Sequence, residues 1–171
     1  TYTSMKLKSG DEVVSAELLN VKNILITKTG YYLNYNVEEI PVAGVKASGV
    51  KGINLKDDEL VCGLTFSDND EYLTIFTNRN TAKRIKLSDL NSLSRAKRGS
   101  TLIKKVKSTP YEILNAFITN KNDNIGIMTD DINIIKCTDI PIMDEVSTGS
   151  TVTKETTKQV FKSNGVVEIN E

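Results

Sequence analysis

The chain of 171 residues repeats itself about every fifty positions. A repeat of that period constrains the fold before any single element is read, because each unit must bury its apolar face on a neighbour. ITKTGYYLNYNVEEIP (26–41) aligns with FTNRNTAKRIKLSDLN (76–91), placing Tyr35 over Ile85, Val37 over Leu87 and Ile40 over Leu90. GIMTDDINIIKCTDIP (126–141) follows over its second half, two residues shorter in its turn, with Ile135, Cys137 and Ile140 in the same series. Gly49, Gly99 and Gly149 fall in the short loops KASGVKG (46–52), AKRGSTL (96–102) and VSTGSTV (146–152). A glycine recurring at one structural position predicts a positive φ or a close backbone approach. The openings EVVSAELLN (12–20), ELVCGLTFS (59–67) and EILNAFITN (112–120) also correspond, each with a small residue, Ala16, Gly63 or Ala116, after an apolar pair.

Short runs rich in Val, Ile, Thr, Tyr and Phe, separated by Asn, Asp, Gly and Lys, make the chain all-β. In the central copy the pattern predicts four strands, about 59–66, 72–77, 82–87 and 101–107, with SDND (67–70) and NRN (78–80) as hairpin turns. Along the third of these, Lys83, Ile85 and Leu87 alternate with Arg84 and Lys86, so one face is expected to be mostly apolar and the other cationic. Four strands in fifty residues is the size of a propeller blade. The chain is thus expected to be one domain, 1–171, with blade repeats at about 9–56, 57–107 and 108–156. Residues 1–8 read as the close of a preceding blade, and 157–171 as a terminal hairpin turning at Asn164-Gly165. Three blades do not close a disc comfortably, which implies a piece of a larger ring or an unusually small one.

The sequence contains no histidine, which removes the commonest general base and the commonest zinc ligand together. No paired acid and nucleophile motif replaces them, and no catalytic residue is assigned. Asp57-Asp58-Glu59 and Asp68, Asp70 and Glu71 lack the spacing of a calcium loop, so no metal site is expected. Cys62 and Cys137, 75 positions apart in apolar runs, read as reduced packing thiols. No apolar run approaches the roughly 18 residues of a membrane span, and no signal-peptide pattern opens the sequence. The expectation is a soluble cytoplasmic protein with no membrane partner.

Charge is distributed unevenly. Of 22 basic and 22 acidic residues in the chain, the stretch 79–107 holds ten basic (Arg79, Lys83, Arg84, Lys86, Arg95, Lys97, Arg98, Lys104, Lys105 and Lys107) and one acid, Asp89. That segment therefore carries +9 and the remainder −9. Exposed strand lysines often serve only to block edge pairing, but ten cations against one acid suit a line of phosphates. Lys46 and Lys51 lie in the matching loop of the first copy. The third copy is acidic, with Asp130, Asp131, Asp139, Asp144 and Glu145, and is expected to turn away from a polyanion. The alternative is a propeller that docks an acidic protein through its basic loop.

Taken together, ITKTGYYLNYNVEEIP, AGVKASGVKGINLK and RAKRGSTLIKKVK resemble the C-terminal repeats of the A subunits of bacterial type IIA topoisomerases. They resemble the topoisomerase IV branch of Gram-positive bacteria more than the gyrase branch. The resemblance implies a β-pinwheel, a propeller-like disc whose blades exchange strands, with double-stranded DNA bent along a basic rim. It implies DNA contact by the twelve cations named above and a non-catalytic role, the DNA-cleaving tyrosine lying in another region. Tyr2, Tyr31, Tyr32, Tyr35, Tyr72 and Tyr111 are expected to pack or to line strand faces. It also implies that this segment needs no cofactor. ATP and Mg would serve the full nucleoid-associated enzyme, in which the partners would be the rest of the A subunit and the ATPase-bearing B subunit. The arginine- and glycine-rich box of gyrase is only partly present, in Gly49, Lys51 and Gly52 and, by approximate role, in Lys97, Arg98 and Gly99. Strong chiral wrapping of DNA is accordingly not expected.

Overall fold

A computed structural model of the chain describes residues 5–163. Its strands are β1 (Lys22–Thr27), β2 (Tyr31–Asn36), β3 (Leu60–Phe66), β4 (Tyr72–Thr77), β5 (Thr81–Lys86), β6 (Ser100–Thr101), β7 (Ile113–Thr119), β8 (Asn124–Met128), β9 (Ile132–Lys136), β10 (Ser150–Thr151) and β11 (Gln159–Ser163). They form three antiparallel sheets in the orders β3-β1-β2-β6, β10-β5-β4-β7 and β11-β8-β9. Among the described residues no helix is long and apolar enough to cross a membrane.

Each of the first two sheets takes its central hairpin from one repeat and an outer strand from the next. β1 and β2 pair within the first repeat, while β3, from the second, adds to β1 with Leu25 opposite Gly63. β7, from the third repeat, adds to β4 with Ile75 opposite Ala116. In these two openings the recurrent small residue thus pairs with a large aliphatic one. A Cβ at Gly63 would meet Leu25 Cδ2 at 3.0 Å. The stretch SDND is therefore not a hairpin turn. Its Ser67 N–H and Oγ–H both donate to the Asp70 carboxylate, at 2.8 and 3.1 Å, and this Asx-type closure sends the chain from one sheet to the next. NRN is a hairpin turn as expected, with Asn80 N–H donating to Thr77 O, just as Gly30 N–H donates to Thr27 O fifty residues earlier. The fourth strand expected at 101–107 shrinks to Ser100–Thr101, which pairs with Tyr31 and Tyr32 of the preceding sheet. Of the terminal hairpin, Gln159–Ser163 is a strand on β8, and 164–171 lie outside the described residues. The opening 12–20 forms no strand, although Ser15 Oγ and Leu18 O bond Gly63 and Thr65 of β3.

The repeat also fixes the corners. Val37–Glu39, Leu87–Asp89 and Cys137–Asp139 are each one 3-10 turn, closed by hydrogen bonds from the N–H of Ile40, Leu90 and Ile140. Gly49, Gly99 and Gly149 have φ of 81°, 88° and 83°, the left-handed region their recurrence predicted. A Cβ on Gly99 would overlap the Tyr32 carbonyl, and one on Gly149 would lie 2.8 Å from Ala82 O. Glycine is required at those two positions twice over, for φ and for contact.

The apolar core lies between sheets. Ile24, Ile26, Phe66, Leu73, Ile75, Ile85, Leu102 and Ile113 join the first sheet to the second. Phe76, Ala82, Ile125, Ile127, Ile140 and Val160 join the second to the third. β4 contributes to both clusters, so its residues from Leu73 to Thr77 are all buried. Cys62 and Cys137 are free thiols within this packing, and Cys137 Sγ donates to Thr119 Oγ1 at 3.2 Å.

Candidate nucleic-acid interface

The middle sheet changes the reading of the cations on β5. Burial of the sheet on both sides leaves no outward cationic face at Lys83 and Arg84, which are 1% and 6% exposed. The Lys83 ammonium donates to the carbonyls of Asp144, Glu145 and Ser147 at 2.6, 3.0 and 2.8 Å. Burial pulls its pKa down to about 8, against the raising effect of the Asp144 and Glu145 charges. Arg84 Nε donates to Ile140 O at 2.7 Å, and its guanidinium lies 4.6 Å from the Tyr72 ring. These two cations bind the acidic third repeat to the second and present nothing to a phosphate. Glu145 also accepts a hydrogen bond from Tyr32 Oη of the first sheet, at 2.5 Å.

Arg95 and Arg98 are committed in a similar way. The loops of the first and second repeats lie side by side, with Ala96 N–H donating to Gly52 O and Asn54 N–H to Lys97 O, both at 2.8 Å. Arg95 donates from Nε to Glu39 O at 2.9 Å and from a terminal nitrogen to Lys51 O at 2.6 Å. Arg98 donates to the carbonyls of Asn54 and Leu55 and pairs with Asp58 at 3.1 Å. The Asp58 side chain is 2% exposed. Burial would raise its pKa, but hydrogen bonds from Thr27 and Thr29 outweigh that and hold the carboxyl below its usual range. Asp58 is thus an anchor for Arg98. Among the described residues no three acidic or cysteine side chains gather as a metal site.

Five of the cations, Arg98 among them, gather around two tyrosines. A cavity of about 420 Å³ is lined by Arg98, Lys104, Lys105 and Lys107, with Tyr31, Tyr111, Ile103, Val106 and Pro110 completing most of its wall. The Arg98 guanidinium and the Lys105 ammonium sit 4.0 and 4.2 Å from the Tyr31 ring centroid, and Arg79 sits 4.4 Å from that of Tyr111. Such cation–ring contacts contribute about 0.5–1 kcal/mol each at exposed sites. A hydrogen bond from Lys105 lowers the Tyr31 pKa, and one from Arg79 lowers that of Tyr111. Neither tyrosine stands out in the sequence, since nothing in the repeat distinguishes a tyrosine beside cations from one in a strand face.

Lys46, Lys86, Lys97, Lys104 and Lys107 line the surface and make no side-chain hydrogen bond or ion pair among the described residues. Lys51 is exposed and donates to Asn54 Oδ1 at 3.0 Å. Of the twelve cations, then, the cavity gathers Arg98, Lys104, Lys105 and Lys107, with Arg79 on Tyr111. Lys51 and Lys97 lie on adjoining loops that Arg95 laces together, Lys46 and Lys86 stand apart from the cavity, and Lys83 and Arg84 point inward.

This fold has counterparts among known proteins. The family model described as DNA gyrase C-terminal domain, beta-propeller, matches residues 3–20, 24–68 and 71–120. The chain belongs to this gyrase C-terminal domain family. It is 34% identical over 116 residues to the A subunit of DNA topoisomerase 4 from Bacillus subtilis (strain 168), covering 67% of this chain and 14% of that protein. Its counterpart from Streptococcus pneumoniae serotype 4 is 34% identical over 133 residues, covering 74% of this chain and 16% of that protein. The chain thus spans about a sixth or less of the curated relatives it matches. Among solved structures, a C-terminal domain of DNA topoisomerase IV superposes with a TM-score of 0.86 at 33% identity, over 93% of this chain and 52% of that one. A DNA gyrase A C-terminal domain gives 0.80 at 22% identity, over 93% and 57%, and supports the β-pinwheel fold alone. The homologues of this gyrase-family domain are thus A subunits of topoisomerase IV.

Proposed function

We propose that this domain binds and bends duplex DNA through its phosphate backbone, as the non-catalytic C-terminal part of a topoisomerase IV A subunit. The observation that carries the reading is that the second repeat's lysines Lys86, Lys97, Lys104 and Lys107 remain at the surface and unpaired after its arginines are committed to holding loops. Cations that gain nothing from folding are available to displace condensed counterions from DNA. Membership of the gyrase C-terminal domain family supports the same reading. In this proposal strand passage, with its ATP and Mg, belongs to the other regions of the full, cytoplasmic, nucleoid-associated enzyme, including its separate ATPase chain. The domain positions the duplex for that chemistry and needs no cofactor of its own.

The test is duplex affinity across a salt series for the domain and for a variant with Lys86, Lys97, Lys104 and Lys107 all changed to alanine. Removing one phosphate contact reduces the log–log salt slope by about 0.9, so the variant is expected to flatten it by up to about 3.6. An unchanged slope with unchanged affinity would refute the assignment of these lysines. Arg95 and Arg98 are unsuitable for this test, because changing them unlaces the loops.

A further inference from the structure

The cavity beside Tyr31 and Tyr111 has chemistry that a duplex backbone does not use. Its wall carries Ile103, Val106, Pro110 and the Tyr111 ring, and its edge carries Lys104, Lys105 and Lys107 with a single acid, Glu112. A bare phosphate has no use for an apolar wall, and an apolar ligand has none for three lysines. A base attached to its own phosphate uses both. At about 420 Å³ the cavity falls within the range of small-ligand clefts, about 300–1,000 Å³. Aromatic surface beside a basic track is also the combination by which single strands are held without sequence preference.

The wall is prearranged. Ile103 is 3% exposed, part of the apolar cluster between the first two sheets, and Tyr111 packs against that cluster. Arg98 is held by Asn54, Leu55 and Asp58, and Arg79 by its stacking on Tyr111. What remains uncommitted at the edge is Lys104 and Lys107.

We infer that this cavity binds one unpaired nucleotide of single-stranded DNA, its base against Tyr111, Ile103 and Val106 and its phosphate at Lys104 and Lys107. A base stacked in a duplex cannot enter, because it would first have to leave the stack. Such a site extends duplex binding to ends, gaps and bubbles, and rests on the proposed function only through the two lysines that hold the phosphate.

Fluorescence anisotropy with two probes tests it: a blunt duplex, and the same duplex bearing a single-stranded oligothymidylate overhang. The overhang is expected to be bound about 5- to 150-fold more tightly, the range for stacking one base. Tyr111→Leu keeps apolar bulk against the core but removes the ring, and is expected to abolish the preference. Tyr111→Phe is expected to retain it. Val106→Asn, which makes the wall polar, provides a second variant should Tyr111→Leu unfold, and is expected to lose the preference as well. Equal binding of the two probes by the unchanged protein would overturn the inference, as would a preference that survives in folded Tyr111→Leu or Val106→Asn. Blunt-duplex binding reports separately on the proposed function: its absence beside a strong overhang preference would refute duplex binding and leave the nucleotide site standing.

Discussion

Three glycines with the same backbone conformation and different surroundings allow the φ requirement to be separated from the contact requirement. Gly49, Gly99 and Gly149 have φ between 81° and 88°, so alanine at any of them meets the same left-handed penalty, about 1–2 kcal/mol. Part of this is offset by about 0.4–1 kcal/mol through the lower entropy of the unfolded chain. Nothing lies within 4 Å of a Cβ on Gly49. Gly49→Ala should therefore cost at most about 1.5 kcal/mol. On Gly149 the Cβ would lie 2.8 Å from Ala82 O and 3.0 Å from its carbonyl carbon, which are backbone atoms of β5 that cannot rotate away. Overpacking of this kind adds about 1–3 kcal/mol. On Gly99 the Cβ would overlap Tyr32 O and lie 2.6 Å from the carbonyl carbon, so β6 must lift from β2. Gly99→Ala should cost up to the free energy of undocking that loop with its Arg95 and Arg98 contacts, about 4 kcal/mol. Thermal unfolding reads the series directly. At about 2–4 °C per kcal/mol for a chain of this size, the midpoints should fall in the order Gly49, Gly149, Gly99, by roughly 2, 8 and up to 12 °C at mid-range. Equal shifts at all three positions would show that φ alone sets the requirement and would refute the role of the neighbouring backbone.

Loss of Arg98 by Arg98→Ala leaves the buried Asp58 carboxylate without its ion-pair partner and should destabilise the protein by about 3 kcal/mol. Lys97→Ala, one residue away and unpaired, should lie within about 0.5 kcal/mol of the starting protein in the same urea titration. Lys83 has its pKa pulled by burial from 10.5 to about 8, so between those values the unfolded chain holds a proton that the folded one does not. Stability should therefore gain from this group as pH rises from about 8 to 10.5, and the penalty should be fully present below that window. Urea midpoints measured across the window should show this rise, and Lys83→Leu, which places the first repeat's residue there, should lack that component. The Cys62 thiol, pushed up to about 12 by burial, should resist alkylation in the native protein and react once it is unfolded, as read by intact mass.

Period, class and the recurrent glycines were legible in the residues because they are local. A fifty-residue recurrence of apolar positions specifies one packing solution repeated, and a glycine that recurs with it specifies a backbone conformation independent of what surrounds it. The all-β reading, the NRN turn and the left-handed glycines all follow from that, whereas Leu87, expected to close a strand, instead opens a 3-10 turn. Which strand pairs with which did not follow. The alternation in ELVCGLTFS is the same whether it joins β4 of its own repeat or β1 of the one before, and the choice is made only when neighbouring sheets stack.

The fate of the cations was equally out of reach. Lys83 and Lys86 are both lysines on β5, yet one meets three carbonyls from residues more than sixty positions away and the other meets none. The order of residues concentrates positive charge between Arg79 and Lys107, and that much is independent of how the chain folds. Packing of the repeats against one another then divides those cations: Lys83, Arg84, Arg95 and Arg98 hold blades and loops together, while Lys86, Lys97, Lys104 and Lys107 are left to solvent. A buried cation persists only where carbonyls or carboxylates surround it, and those acceptors come from other repeats, whose approach no local pattern records.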